Sequence, residues 1–80
     1  MLQNFTAMSK HNINRLRIIL AEKNITNKWL AERLGVTQNT VSKWVTNTKQ
    51  PSVETFYKIA IVLNVDIRDL FEPTPVKSGR

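Results

Sequence analysis

Apolar residues recur through most of this 80-residue chain at the three- and four-residue intervals of amphipathic helices. The pattern predicts helices at about residues 13–23, 27–34, 38–45, 53–63 and 67–71. The sequence contains no internal repeat, and helical periodicity dominates throughout. We therefore expect an all-α fold, a five-helix bundle at residues 13–72, with a flexible N-terminal arm at residues 1–12 and a flexible tail at residues 73–80.

Each predicted helix has one apolar face, and residues that suit helix ends stand beside it. The inner-face residues are Ile13, Leu16, Ile19 and Leu20 in the first helix, Leu30, Ala31 and Leu34 in the second, Val41 and Trp44 in the third, Val53, Phe56, Ile59, Ala60 and Leu63 in the fourth, and Leu70 and Phe71 in the fifth. Hydroxyl and carboxylate side chains accept hydrogen bonds from the free N–H groups at a helix start. The predicted caps are Thr26, Thr37, Ser52 and Asp66.

Residues 27–46 carry the spacing of a helix-turn-helix. Ala31 is small, which lets a second helix cross close to the first. Gly35 suits a left-handed turn at the end of the first of these two helices. Val41 and Trp44 line the inner face of the second, so its other side remains open. Because such a unit mainly serves to hold one helix firmly against DNA, the spacing predicts binding to double-stranded DNA.

The net charge of +6 arises from 12 basic and 6 acidic residues, and it is unevenly placed. Residues 1–49 hold eight Lys or Arg against two Glu, whereas residues 50–80 hold four residues of each sign. All of the excess positive charge therefore lies in the half that contains the helix-turn-helix. A basic surface can simply favour solubility. Its coincidence with a DNA-reading motif favours a polyanionic partner.

Several function classes lack the residues that they would need. The sequence contains no cysteine and a single histidine, His11, which lies in the predicted arm without a neighbouring carboxylate. It has no glycine-rich phosphate loop either, so we expect no catalytic residues, no metal site and no cofactor. No apolar run approaches the ~18 residues of a membrane span. We therefore expect no membrane partner and a cytoplasmic location.

Several linked segments resemble the Cro and phage-repressor family, also called the XRE family. They are residues 26–31, 34–37, 41–44, 51–55, 58–60 and 69–71, together with Leu63. The resemblance extends over about residues 14–72, and the joint spacing of several motifs makes it far more specific than a lone helix-turn-helix match. It implies a lambda-repressor-like DNA-binding domain and the function of a transcriptional regulator, either a repressor or a small controller protein, in a bacterial or mobile-element host.

The sequence departs from this family in two respects. Asn24, Asn47 and Asn64 stand where many members have glycine, and because asparagine tolerates left-handed backbone well, we expect the turns to be kept. Leu20 and Val45 stand where many members have an arginine and a glutamate that form a partly buried ion pair. Because both positions are apolar here, we expect Leu20 to contact Val45.

The exposed face of the third predicted helix supplies the expected base contacts. The base-reading residues are Gln38, Asn39, Ser42 and Lys43. Gln and Asn can pair with adenine and Lys can donate to guanine, and the resemblance makes Gln38, Asn39 and Lys43 the strongest readers. We expect phosphate contacts from helix starts and from the loop after this helix. These residues are Asn27, Lys28, Thr37, Asn47, Thr48 and Lys49. Outside such a motif, a polar helix face of this kind is simply solvated.

One recognition helix covers only a short half-site, so we expect a homodimer on DNA. The expected dimer contacts are Ile61, Ile67 and Phe71. An alternative from another class is an antitoxin-type protein-interaction module, whose partner would be a toxin or another protein. Such proteins usually add a toxin-wrapping segment, and only nine residues follow Phe71, so we favour the regulator. A controller of a restriction–modification operon is a subtype of that regulator.

Overall fold

Four α-helices and one short 3₁₀ helix follow one another in residues 12–76, the part of the chain that the computed structural model describes. The α-helices are α1 (Leu16–Lys23), α2 (Asn27–Leu34), α3 (Gln38–Val45) and α4 (Val53–Leu63), and the 3₁₀ helix is Ile67–Leu70. Residues 1–11 of the predicted arm, His11 among them, and residues 77–80 of the predicted tail lie outside the described residues. The flexibility of both segments therefore stays a prediction.

The fold is all-helical, as predicted, but the prediction of five α-helices is wrong for the last element. The Asp69 N–H donates at 2.9 Å to the carbonyl of Asp66, three residues back, which is the hydrogen bond of a 3₁₀ helix. The Asp66 carboxylate accepts the N–H of Arg68 at 2.8 Å and tightens the same turn. Phe71 then adopts an extended backbone and forms an antiparallel bridge with Asn14. The chain therefore leaves the helical conformation after about one turn.

The first helix begins at Leu16, later than the apolar pattern predicts. Asn14 is held in the bridge with Phe71, and its Oδ1 accepts the N–H of Leu16 at 2.9 Å. The residues before Leu16 therefore do not follow the helical register of α1. The prediction that Ile13 lies on the inner face is wrong, because outside that register its side chain is 49% exposed.

The core is built from apolar residues of all five helical elements. Its fully buried side chains are Leu16, Leu30, Val41, Ile59 and Leu70. Ile19, Leu20, Ala31, Trp44, Phe56, Ala60 and Leu63 complete it, as the helical periodicity predicts. The inner-face prediction is wrong for Val53, which is 79% exposed. Side chains lean toward the N-terminus of their helix, so that of the first residue of α4 extends past the core.

The predicted capping residues and left-handed turns are confirmed. Each cap accepts a main-chain N–H of its helix: Thr26 from Trp29, Thr37 from Thr40, Ser52 from Thr55 and Asp66 from Arg68. Left-handed backbone occurs at Asn24, Gly35, Asn47 and Asn64, with φ of 57°, 72°, 60° and 57°. A Cβ on Gly35 would meet nothing within 4 Å, so the backbone angle rather than a close contact favours glycine there.

Candidate nucleic-acid interface

The helix-turn-helix consists of α2, a tight turn and α3, and buried residues hold the two helices together. Leu30 on α2 and Val41 on α3 are fully buried, and the small Ala31 is buried with them. The turn passes through the left-handed Gly35, after which the Val36 N–H donates to the Ala31 carbonyl at 3.0 Å. The inner side of α3 therefore fixes its orientation, while its outer side stays open.

The outer side of α3 carries the predicted base-reading residues. Gln38, Asn39 and Lys43 are exposed, and Ser42 is half-buried. Within residues 12–76, no hydrogen bond engages the side chains of Gln38, Asn39 and Lys43. Their donors and acceptors are therefore available to base edges. That these residues read DNA stays a prediction.

The predicted phosphate residues before α3 lie at helix starts. Asn27 is half-buried and Lys28 exposed in the first turn of α2, where main-chain N–H groups lack partners within the helix. Thr37 is exposed and caps α3. Its Oγ1 accepts the Thr40 N–H at 3.1 Å and lies 2.8 Å from the Thr40 hydroxyl. All three residues keep polar groups near the surface.

The loop after α3 is tied to the end of that helix by main-chain hydrogen bonds. The N–H groups of Thr48 and Lys49 both donate to the carbonyl of Lys43, at 2.9 and 3.2 Å. The Thr46 hydroxyl donates to two carbonyls in the last turn of α3, at 3.0 and 3.2 Å, and lies 2.8 Å from the Thr48 hydroxyl. Lys49 is exposed, so its ammonium group extends from a loop whose backbone is fixed.

The side chain of Asn47 makes contacts that no local sequence pattern predicts. Its Oδ1 accepts the N–H groups of Ile13 and Asn14 at 2.8 and 2.9 Å, and the side-chain amide of Gln50 at 3.1 Å. Its Nδ2 donates to the Asn14 carbonyl at 3.2 Å. This predicted phosphate residue therefore directs its side chain toward the start of the domain.

Asn14 is the one buried polar residue among residues 12–76, and it is 3% exposed. Its Nδ2 donates to the Trp44 carbonyl at 3.0 Å and to Gln50 Oε1 at 2.7 Å. In the described part of the chain, every buried side-chain nitrogen and oxygen has a hydrogen-bond partner. We call Asn14, Asn47 and Gln50 the amide cluster. No local pattern reveals it, because Asn14 lies 30 or more positions from these partners.

The ion pair found in the described residues does not reduce the positive charge of the helix-turn-helix. Within the described residues the one ion pair joins Arg68 Nη2 and Asp66 Oδ2 at 2.8 Å, outside the helix-turn-helix. The hydrogen bonds from the Arg68 side chain and main chain lower the pKa of Asp66 to about 2. The basic side chains of α2, α3 and the following loop form no ion pair in residues 12–76. Their charge is therefore available to attract phosphate groups.

The predicted dimer residues lie on α4, on the 3₁₀ helix and just after it. Ile61 is 64% exposed and Ile67 is half-buried, and both line an open groove of about 500 Å³ beside the exposed Tyr57. Phe71 is half-buried, and its ring packs against Phe56 with the centroids 4.6 Å apart. The structure thus brings Ile61 and Ile67 together and places Phe71 at the edge of the core.

Metal binding and membrane crossing make different demands on residues 12–76. No group of three His, Cys, Asp or Glu side chains is placed there to hold a metal ion. Across the same residues, none of the helices has both the length and the apolar character needed to cross a bilayer.

Comparison with known proteins gives three similarities. Residues 16–70 match the family described as Helix-turn-helix. The chain is 37% identical, over 57 residues covering 71% of it and 80% of the relative, to an uncharacterized HTH-type transcriptional regulator of Archaeoglobus fulgidus. It is 48% identical to a candidate DNA-binding protein from Bacteroides fragilis, whose crystal structure matches with a TM-score of 0.74 over 75% of this chain and 97% of that chain.

Proposed function

This chain belongs to the helix-turn-helix family, and from that premise we propose that it reads double-stranded DNA sequence-specifically as a transcriptional regulator, either a repressor or a small controller protein. The family and the two similar proteins support a DNA-binding regulator. The observation that carries the proposal is the open face of α3, where Gln38, Asn39 and Lys43 are exposed on a helix fixed from behind. The proposed place of action is the cytoplasm of a bacterial or mobile-element host, which contains the double-stranded DNA that the protein would read.

The residues on the open face of α3 differ in the bases that they suit. Gln38 and Asn39 carry amides, which pair with adenine through one donor and one acceptor. Lys43 donates to O6 and N7 of guanine, and the hydroxyl of Ser42 suits several base edges. The proposed half-site therefore contains both A·T and G·C pairs.

Phosphate contacts are proposed from segments before and after α3. The residues are Asn27, Lys28 and Thr37 before it and Thr48 and Lys49 after it. The side chain of Asn47 is hydrogen-bonded to the start of the domain, so Asn47 contributes by holding the loop after α3. Contacts of this kind fix the register of α3 in the major groove but carry little sequence information. The basic side chains of the helix-turn-helix form no ion pair within residues 12–76, and their charge supports this assignment.

A homodimer on DNA is proposed because a single α3 spans only a short half-site. Ile61 and Ile67 line the open groove beside Tyr57, and an exposed apolar groove favours contact with another apolar surface. A second copy of the chain supplies that surface in a two-fold arrangement, with Ile61 of each copy facing the groove of the other. Phe71 would contribute from the edge of this contact.

Selection from a library of randomised DNA duplexes tests the proposal. We expect the wild-type chain to enrich a two-fold symmetric sequence. Gln38→Ala or Asn39→Ala should relax the selected base at one position of each half-site. If no sequence is enriched, and substitutions on α3 instead weaken binding to a toxin or another protein, the chain is an interaction module rather than a DNA reader.

A further inference from the structure

We propose that the amide cluster of Asn14, Asn47 and Gln50 positions the loop after α3 so that Lys49 meets a DNA phosphate. This inference rests on the proposed function, because Lys49 belongs to the same DNA-binding surface. The cluster acts through the loop and its side chains need not touch DNA. Its members are therefore positioning residues.

The cluster ties three parts of the chain together at the end of α3. Asn14 Nδ2 donates both to the carbonyl of Trp44, in the last turn of α3, and to Gln50 Oε1. Asn47 Oδ1 accepts the main-chain N–H groups of Ile13 and Asn14. The start of the domain, the end of α3 and the far end of the loop therefore share one hydrogen-bond network.

Lys49 lies between two members of this cluster, so its backbone is held from both sides. Asn47 and Gln50 are joined by a 3.1 Å hydrogen bond that spans it. The main-chain N–H of Lys49 also donates to the carbonyl of Lys43, while its side chain is exposed. A loop that is already ordered loses less conformational freedom on binding, so the cluster strengthens a phosphate contact without adding one.

The backbone angle of Asn47 allows its side chain to be removed cleanly. Its φ is 60°, a conformation that glycine adopts readily, so Asn47→Gly deletes the amide contacts without straining the turn. Asn24 offers a matched control outside the proposed DNA and dimer contacts. Its φ is 57°, it is exposed, and no hydrogen bond engages its side chain within the described residues.

The test compares wild type, N47G and N24G on the enriched duplex and on a mixed-sequence duplex, well below the melting temperature of each variant. We expect N47G to bind both duplexes about three- to tenfold more weakly and with a shallower salt dependence. The ratio of the two affinities should stay constant, because a phosphate contact carries no sequence information. N24G should bind as the wild type does.

A double-mutant cycle with Lys49→Ala separates positioning from general damage. In the K49A background, N47G should cost little further affinity, because the contact that Asn47 positions has already been removed. Full additivity of the two losses overturns the proposal, as does wild-type affinity and salt dependence in N47G. If N47G unfolds at the assay temperature, Gln50→Ala replaces it in the cycle with the same expected coupling and the same refuting results.

The failure of this inference is distinguishable from the failure of the proposed function. A folded wild-type chain that binds neither duplex contradicts both. A wild-type chain that binds the enriched duplex, while N47G and Q50A bind it equally well, contradicts the positioning role alone.

Discussion

The rings of Phe56 and Phe71 pack at an angle of 47° with their centroids 4.6 Å apart, and this contact fastens the segment after the 3₁₀ helix to α4. Tilted aromatic pairs add stability beyond the apolar area that they bury. Phe71 is also the partner of Asn14 in the antiparallel bridge. Phe71 therefore joins α4, which carries part of the proposed dimer surface, to the segment that contributes Asn14 to the amide cluster.

The residues around α3 are expected to divide into phosphate contacts and base contacts. Lys49→Ala should weaken binding to the enriched duplex and to mixed-sequence DNA alike and should reduce the salt dependence, because a phosphate contact is lost. Gln38→Ala should lower the preference for the enriched duplex by ~1–3 kcal/mol and spare mixed-sequence binding, because a base contact is lost. Titrations of both duplexes at several salt concentrations measure these effects.

Lys58 provides the control for the loss of charge. It is exposed on α4, outside the helix-turn-helix, so Lys58→Ala removes the same charge from another part of the surface. We expect Lys58→Ala to change neither the preference for the enriched duplex nor the salt dependence of DNA binding appreciably. Identical behaviour of K49A, Q38A and K58A on both duplexes would contradict the division of roles.

A charge at Ile61 is expected to prevent pairing of two copies on DNA. Ile61→Glu should fold normally, because the side chain is exposed, and should bind a single half-site as a monomer with lower affinity than the wild-type dimer. Val53→Glu is the matched control, since Val53 is exposed at the other end of α4. Sedimentation of each protein with the enriched duplex measures the stoichiometry. A wild-type monomer on an unpaired half-site would contradict the dimer.

The contact expected between Leu20 and Val45 can be measured as a coupling. Leu20 is buried and Val45 is half-buried against the same core. Leu20→Arg alone should lower the free energy of unfolding by about 3 kcal/mol, and Val45→Glu alone by less, because each introduces an unpaired charge. The double substitution should recover part of the loss. Strictly additive losses in urea denaturation would mean that the two side chains do not meet.

The cap of the 3₁₀ helix gives the fold a defined response to acid. Two hydrogen bonds from the Arg68 side chain and one from its main chain lower the pKa of Asp66 from 3.8 to about 2. A carboxyl group whose pKa is lower in the folded state stabilises that state while it is ionised. Its contribution is therefore complete above the ordinary value of 3.8 and is lost as the pH falls toward 2.

Asp66→Asn keeps a capping side chain but removes this titration. At neutral pH the wild type should melt at a higher temperature than D66N. The difference between the two melting temperatures should disappear as the pH falls from 3.8 toward 2. Thermal melts of both proteins across that range provide the measurement. A gap that is independent of pH would contradict the assigned role of the Asp66 carboxylate.

The features that the sequence predicts well depend on single residues or on short spacings. Left-handed turns at Asn24 and Asn64 follow from the tolerance of asparagine for this backbone, and Thr37 caps α3 through a residue only three positions away. The open face of α3 likewise follows from the helical spacing of Val41 and Trp44 within one element. Each of these features is determined by residues that lie only a few positions apart, so the sequence alone predicts it.

The features that the sequence did not predict depend on distant residues. Ile13 fits the apolar stripe of α1, yet the helix does not extend back to it, because Asn14 is paired with Phe71. Val53 fits the stripe of α4, yet the core does not reach the first residue of that helix. The sequence alone presents Asn47 as a surface donor, because no local pattern shows that the start of the domain folds back onto its side chain.

The bridge between Asn14 and Phe71 also bears on the order in which the protein assembles. Closing a loop that contains almost the whole domain costs chain entropy that contacts between consecutive helices do not have to overcome. During synthesis, α2 and α3 are complete before Phe71 is added to the chain. We therefore expect the helix-turn-helix to form early on the nascent chain, whereas the start of α1 settles into place only when the last residues of the domain have left the ribosome.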